Sequence, residues 1–183
     1  MLYRFLRVII VFIVKVFIRP KIIGKENIPS NGKIILAGTH TSILDCLVII
    51  SCTKRDVHFL AKKELIDGPF KLLFKNMGII PVDRSKKDKS VIPKAEEYLS
   101  RDEVIAIFPE GTTEKGRGLL PFKIGTVKIA YDTNTKIVPF VKTGKYFINS
   151  KIIFDSCYMV GNNDLDKENK LFYEHIEKML KEG

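Results

Sequence analysis

Short apolar runs alternate with longer mixed segments along most of this chain. The runs predict strands at Ile34–Ala37, Val57–Leu60, Ile79–Val82, Val104–Phe108 and Ile137–Val141. The segments between them predict helices over residues 42–52, 68–76, 91–99 and 124–131. Strands joined by helices need crossover connections, which give parallel pairing with helices on both faces of the sheet. We therefore predict an α/β fold with a mainly parallel mixed sheet flanked by helices.

The pattern changes on both sides of this alternating region. Residues 21–33 predict a connection with a turn at Pro29–Gly32, because Pro, Ser, Asn and Gly cluster there. Residues 152–154 and 158–160 predict late strands or an edge hairpin. Residues 165–180 predict an amphipathic helix whose charged residues form a solvated face.

The first segment, Leu2–Ile18, predicts an amphipathic helix that Pro20 ends. At 100° per residue, Arg4, Arg7, Lys15 and Arg19 fall within an arc of about 120°, and the remaining face is apolar. Its longest uninterrupted apolar run is Val8–Val14, whereas a membrane crossing needs roughly 20 residues. We therefore predict a membrane-surface anchor over residues 1–20 and one domain over residues 21–183. A membrane span and a packed or partner-binding helix remain alternatives; a signal peptide is disfavoured because basic residues occupy its expected cleavage region.

Charge and cysteine usage narrow the class of partner. The net charge is +10, and six basic residues precede the first acidic one, Glu26. Basic arms that bind nucleic acid are usually polar, whereas this one is rich in apolar residues, so an anionic membrane lipid surface is favoured over nucleic acid. The three cysteines form no CxxC motif and leave an odd number, which favours a reducing compartment over a disulfide framework.

The first candidate chemistry lies where the first predicted strand leads into a helix. His40 and Asp45 are five residues apart at this junction, the kind of position where α/β folds place active sites. A carboxylate can hold an imidazole in one tautomer, so the pair could serve as a general base and its orienting partner. The alternative is a capping box, in which Ser42 and Asp45 only satisfy the first amides of the helix.

Two further segments follow predicted strands. Arg84 comes just after Ile79–Val82, where a guanidinium could bind a phosphate; a solvated basic loop is the alternative. Phe108–Thr112 ends the most apolar strand with Pro, Glu and Gly. A Walker-type phosphate loop is excluded there, because Arg117 and Gly118 stand where Lys and Ser or Thr are required.

Several other catalytic patterns are absent from the sequence. No G-x-S-x-G motif supports a hydrolase nucleophile, and no HExxH or CxxC pair supplies metal ligands.

Four motifs in order give a resemblance to a known family. They are His40-x-x-x-x-Asp45, Gly78-x-Ile80-x-x-x-Arg84, Phe108-Pro109-Glu110-Gly111-Thr112 and Val138-Pro139. With these motifs the chain resembles the glycerolipid acyltransferases over roughly residues 33–142, and its likeness is greatest to the bacterial 1-acylglycerol-3-phosphate acyltransferases. Each motif is weak by itself, but the four in this order are specific.

The resemblance implies a role for each matching residue. His40 would act as general base on a glycerol hydroxyl, with Asp45 holding its imidazole. Arg84 would bind the phosphate of the acceptor, with Lys62 and Lys123 nearby. The remaining substrate-binding residues would shape the acceptor site: Glu110, Gly111 and Thr112.

The resemblance also implies the substrates. The acceptor would be lysophosphatidic acid, the product phosphatidic acid, and the cosubstrate an acyl-CoA or acyl carrier protein thioester, with no metal and no bound cofactor. Glycerol 3-phosphate or another lysophospholipid is an alternative acceptor, and a non-catalytic lipid-binding protein at the membrane surface is an alternative function. The implied location is the cell membrane, peripheral or monotopic, with the active site on the cytoplasmic side.

Two positions depart from the family pattern. The family often has Asn before the histidine and Arg after Glu-Gly-Thr, whereas this chain has Thr39 and Thr113. Arg117 could supply the missing cation.

Overall fold

A single seven-stranded sheet organises the described part of the chain. The computed structural model describes residues 2–66, 71, 77–83, 90–113, 118–161 and 163–183. Its strands are β1 Lys21–Ile23, β2 Ile34–Gly38, β3 Val57–Lys62, β4 Ile80–Val82, β5 Val104–Ile107, β6 Lys136–Thr143 and β7 Lys151–Phe154. Their order across the sheet is β1-β7-β6-β2-β5-β3-β4.

Most neighbouring strands are parallel, as the alternating pattern predicts. Strands β6, β2, β5, β3 and β4 run in one direction, while β7 pairs antiparallel with β6 and parallel with β1. All five residues of β2 are buried, since helices cover both faces of the sheet. The carboxyl ends of β2, β3 and β5 therefore meet at one edge.

The helices form two layers. They are α1 Leu2–Ile13, continued by a π-helical turn Val14–Ile18, then α2 Leu44–Cys52, α3 Lys63–Ile66, α4 Val91–Leu99, α5 Gly125–Asp132 and α6 Leu165–Glu182. One core joins the sheet to the N-terminal segment and α2, through residues such as Val14, Ile18, Val48 and Ile49. The other joins its opposite face to α4, α5 and α6.

The N-terminal helix is docked on the domain by one face. The Tyr3 hydroxyl accepts a hydrogen bond from the Val57 N–H at 2.7 Å, and Arg7 donates to the carbonyl of Thr53. Arg7 therefore does not share the exposed basic face predicted for this helix, because its guanidinium group is bonded to the residue that follows α2. The opposite side leaves a row of large apolar side chains exposed: Leu2, Phe5, Val8, Ile9, Phe12 and Ile13. Within the described residues, no helix has the length and apolar character that a membrane crossing requires.

Near the chain ends the structure differs from the sequence prediction in three respects. Residues 21–23, expected in a connection, form β1, because their backbone pairs with β7. This extra strand also places β7 inside the sheet, so that it is not an edge strand. Residues 158–160 form no strand; Tyr158 makes a single bridge to Ile137. Most of the helix predicted over residues 68–76 lies outside the described residues.

Candidate active site

His40 and Asp45 contact each other at the carboxyl end of β2. The distance from His40 Nδ1 to Asp45 Oδ2 is 3.0 Å. With an ionised carboxylate at Nδ1, the neutral imidazole carries its proton on Nδ1 and keeps the Nε2 lone pair available. The pair can thus accept a proton at Nε2 and stabilise the resulting imidazolium.

Asp45 is also part of the turn that begins α2. Its Oδ2 accepts the backbone N–H groups of Thr41 at 2.6 Å and Ser42 at 2.8 Å, while Ser42 Oγ accepts the Leu44 N–H. The capping box forms only in part: Asp45 Oδ2 accepts the Ser42 N–H, but the Asp45 N–H donates to the backbone carbonyl of Ser42, and Ile43 at the N-cap has no side-chain cap bond. Asp45 is 1% exposed, so these contacts hold its position firmly.

Hydrogen bonding keeps Asp45 ionised despite its burial. Burial by itself raises the pKa of the carboxyl group, but the hydrogen bonds from His40, Tyr146 and the Ser42 and Thr41 amides outweigh it and lower the pKa below its ordinary value. The acid therefore remains a carboxylate at neutral pH.

The second carboxylate oxygen is bonded by a residue that the sequence did not indicate. The Tyr146 hydroxyl donates to Asp45 Oδ1 across 101 positions of sequence. Burial, followed by the contact with Asp45, raises the pKa of Tyr146 well above its ordinary range, so the phenol stays a donor. The Lys142 ammonium lies 4.5 Å from the centre of the Tyr146 ring. No motif surrounds Tyr146, and only the return of the chain after β6 brings it to Asp45.

Glu110 supports the loop that carries His40. One carboxylate oxygen accepts the His40 backbone N–H at 3.0 Å, and the other accepts the Leu120 N–H at 3.2 Å. Both oxygens thus have protein partners. The contact with His40 gives Glu110 a positioning role, and its predicted role in acceptor binding stays a prediction.

An apolar cavity of about 640 Å³ opens beside His40. The His40 ring stacks on Phe108 with centroids 3.8 Å apart and planes 11° from parallel, which fixes the imidazole against the cavity wall. The cavity extends between the N-terminal helix, α2 and β3. Its apolar wall includes Leu6, Ile10, Leu47, Ile50, Phe59 and Met77.

Some of the other predicted site residues line the cavity beside His40. Lys62, Gly111 and Thr112 line the same cavity, as does Thr113. Lys123 is exposed, and its backbone N–H donates to the Pro109 carbonyl at 3.0 Å. Arg84, like Arg117, lies outside the described residues.

Thr39, one departure from the family pattern, has a structural contact. The residue is 3% exposed, and its Oγ1 accepts the Lys142 backbone N–H at 2.9 Å. This bond fastens the end of β2 to β6 just before His40. Lys142 also contacts the ring of Tyr146, so Thr39 and Tyr146 are linked through Lys142.

Comparisons with known proteins identify the family of this chain. The family model described as Acyltransferase matches residues 19–143. A 1-acyl-sn-glycerol-3-phosphate acyltransferase of Borreliella burgdorferi is 35% identical over 138 residues, which are 73% of this chain and 55% of that protein. The same-named protein of Helicobacter pylori is 35% identical over 167 residues, covering 82% of this chain and 68% of that protein.

The fold is similar to that of a solved structure. The crystal structure of the 1-acyl-sn-glycerophosphate acyltransferase PlsC from Thermotoga maritima aligns with a TM-score of 0.79 at 20% identity, covering 98% of this chain and 80% of that one. The chain spans little more than half the length of the Borreliella relative. Because the family model covers most of the chain and relatives match at 35% identity, this protein belongs to the acyltransferase family.

Proposed function

We propose that this protein transfers a fatty acyl group from a thioester to the free hydroxyl of lysophosphatidic acid, giving phosphatidic acid. The observation that carries the proposal is the His40–Asp45 pair, 3.0 Å apart, on the wall of an apolar cavity. A general base beside an apolar cavity suits a reaction between a hydroxyl group and a long acyl chain. The names of the relatives support this acceptor.

In the proposed reaction, His40 Nε2 takes the proton of the acceptor hydroxyl as its oxygen attacks the thioester carbonyl. Asp45 stabilises the imidazolium that forms. Collapse of the tetrahedral intermediate expels the thiolate, and the proton on Nε2 passes to this leaving group. The histidine returns to its starting state, and no acyl-enzyme is formed.

The acyl chain and the phosphate of the substrates require different surroundings in the site. The acyl chain needs an apolar surface, which the wall of the cavity offers. The phosphate needs cations, for which Lys62 at the cavity and the predicted Arg84 are the candidates. Lys123 and the Glu110–Thr112 segment complete the proposed acceptor site.

The proposal includes work at an anionic membrane surface, because both the acceptor and the product are amphiphiles. The exposed apolar row of the N-terminal helix supports contact with the bilayer interface. Arg4 and Lys15 are exposed on this segment and can approach lipid phosphates.

The direct test measures acyl transfer by the purified protein. Acyl-CoA and acyl carrier protein thioesters are each combined with lysophosphatidic acid, glycerol 3-phosphate and other lysophospholipids. We expect transfer to lysophosphatidic acid, and a loss of about a hundredfold to ten-thousandfold in kcat for His40→Ala, since a positioned general base contributes about 10²–10⁴-fold.

The matched control is His175→Ala. His175 lies on α6 with its Nε2 3.1 Å from Oδ2 of Asp155, and it does not line the cavity beside His40, so its replacement leaves the rate unchanged. A fully active His40→Ala protein would contradict the mechanism, and vesicle binding without transfer to any acceptor would favour a non-catalytic lipid-binding protein. Arg84→Ala raises the KM of a phosphate-bearing acceptor if the predicted role of Arg84 is right.

A further inference from the structure

The turn after β6 exposes two large apolar side chains to solvent. Phe147 is 66% exposed and Ile148 is 79% exposed. The turn is built by specific hydrogen bonds: the Asn149 N–H donates to the Lys145 carbonyl at 3.1 Å, and the Lys145 N–H donates to Asn149 Oδ1 at 2.9 Å. Phe147 has a φ of +66°, which is uncommon for a bulky residue. An ordered turn thus holds both side chains outward.

This turn lies against the end of the N-terminal segment. Phe147 and Ile148 share an open groove of about 770 Å³ with Val16 and Phe17. Val16 and Phe17 are themselves exposed and continue the apolar row of the N-terminal helix. The two apolar surfaces therefore adjoin, although the residues are about 130 positions apart in sequence.

The charges around the groove favour an anionic partner. Its described lining includes three cations, Arg19, Lys21 and Lys151, and no acidic side chain. The Lys151 ammonium group also donates to the Gly183 carbonyl oxygen at 2.9 Å. A bilayer interface that contains anionic lipid can contact both kinds of residue: its acyl chains contact the apolar side chains, and its phosphates contact the cations.

We infer that the Lys145–Asn149 turn is a second bilayer-contact element, which inserts Phe147 and Ile148 into the interface of an anionic membrane beside the N-terminal helix. The inference extends the proposed function, since it names a surface by which the same site meets its lipid substrate. Tyr146, in the same turn, donates to Asp45. The membrane-contacting turn and the His–Asp pair are thereby joined through one residue.

The experiment compares the original protein with the double variant Phe147→Ser/Ile148→Ser. Both side chains are exposed, so the fold is retained, which a thermal unfolding curve verifies. The fraction of protein that sediments with vesicles is measured for two compositions. One is phosphatidylcholine alone, and the other contains roughly a third phosphatidylglycerol, whose negative charge attracts the cations of the groove. We expect the variant to partition about tenfold less onto the anionic vesicles, because two apolar anchors are lost.

The matched control removes two apolar side chains elsewhere. Met159→Ser/Leu171→Ser alters residues that are 41% and 49% exposed and do not line the groove, and its vesicle partitioning stays within about twofold of the original protein. Equal partitioning of the Phe147→Ser/Ile148→Ser variant and the original protein would overturn the inference. A change from dimer to monomer in solution, with unaltered vesicle binding, would also overturn it by assigning the turn to a second copy of the chain.

Transfer assays separate this inference from the proposed function. With a short-chain acceptor dissolved as single molecules, the Phe147→Ser/Ile148→Ser variant keeps its rate, whereas with acceptor in anionic vesicles its rate falls by about tenfold. If no variant transfers acyl groups to any acceptor, the proposed function fails, and the vesicle partitioning still decides whether the turn contacts the bilayer.

Discussion

Tyr146 donates a hydrogen bond to Oδ1 of Asp45, while His40 contacts Oδ2 of the same carboxylate. The two bonds hold both oxygens of one buried acid, so the orientation of the imidazole depends on a residue that is not adjacent to it. Lys142 packs over the Tyr146 ring and, through its backbone N–H, bonds Thr39 next to His40. Two segments that are about 100 positions apart, residues 39–45 and 142–146, thus position one His–Asp pair.

Tyr146→Phe removes the bond to Asp45 and keeps the ring. We expect kcat to fall by about tenfold to a hundredfold, because a hydrogen bond to a charged group contributes about 1.5–3 kcal/mol, with little change in either KM. Tyr131→Phe, at an exposed tyrosine on α5, is the matched control and keeps the original rate. An unchanged kcat in Tyr146→Phe would show that the bond does not position Asp45.

The same variant has a predictable pH dependence. Burial raises the pKa of Asp45, whereas hydrogen bonds, including that from Tyr146, lower it further than burial raises it. Loss of Tyr146 therefore raises this pKa, so Asp45 becomes protonated at a higher pH as the solution is acidified. The pKa of the Asp45 carboxyl group, followed by carbon-13 NMR, should therefore be higher in Tyr146→Phe than in the original protein, and an unmoved pKa would contradict this prediction.

Glu110→Gln tests whether Glu110 positions His40 or binds the acceptor. The amide has only one acceptor oxygen, so it cannot reproduce both bonds to the His40 and Leu120 N–H groups. We expect kcat to fall about tenfold with the KM of the acceptor unchanged. A rise in that KM would instead favour the role inferred from sequence. Glu97→Gln, at an exposed ion pair with Arg101, is the control.

Thr39→Val replaces a buried hydroxyl by a methyl group of similar size. The Lys142 N–H loses this acceptor, which should reduce the free energy of unfolding by about 1–3 kcal/mol in urea titrations. Thr126→Val is a matched control, because Thr126 is 1% exposed and its hydroxyl has no hydrogen-bond partner among the described residues. Thr126→Val is expected to be neutral or stabilising. An equal loss of unfolding free energy in both variants would contradict the stabilising role of the Thr39–Lys142 hydrogen bond.

Cys52 should make the protein less stable at alkaline pH. Burial raises the pKa of its thiol from 9.0 to about 12, so the folded chain keeps a proton that the unfolded chain releases. The contribution to stability is complete below pH 9 and is lost as pH rises towards 12, at up to ~1.4 kcal/mol per pH unit.

The measurement compares the slope of unfolding free energy against pH, in reducing buffer, for Cys52→Ala and the original chain. The slope should be shallower in Cys52→Ala, and the packing lost with the side chain does not affect it because that loss is independent of pH. Identical slopes would contradict the raised pKa.

Much of the fold follows from local sequence patterns. The apolar runs identified β2–β6 and the helices at residues 42–52, 91–99 and 124–131 to within a few residues, because period and turn residues act over short distances. The His40–Asp45 contact was also accessible, since the two residues flank one strand-to-helix turn.

Other features depended on the tertiary structure. Strand β1 forms because β7 offers it a backbone partner, and its own three residues carry no comparable pattern. The Tyr146–Asp45, Glu110–His40 and Thr39–Lys142 bonds span 101, 70 and 103 positions. Their formation depends on the order of strands in the sheet.

The sequence by itself determined the strand and helix pattern, the family resemblance and the candidate base with its acid. Only the tertiary structure decided which distant groups hold that pair, and which apolar side chains remain in solvent beside the N-terminal helix. The physical reason is that periodicity reports the environment of each segment, whereas the partners of a side chain depend on how the segments pack together.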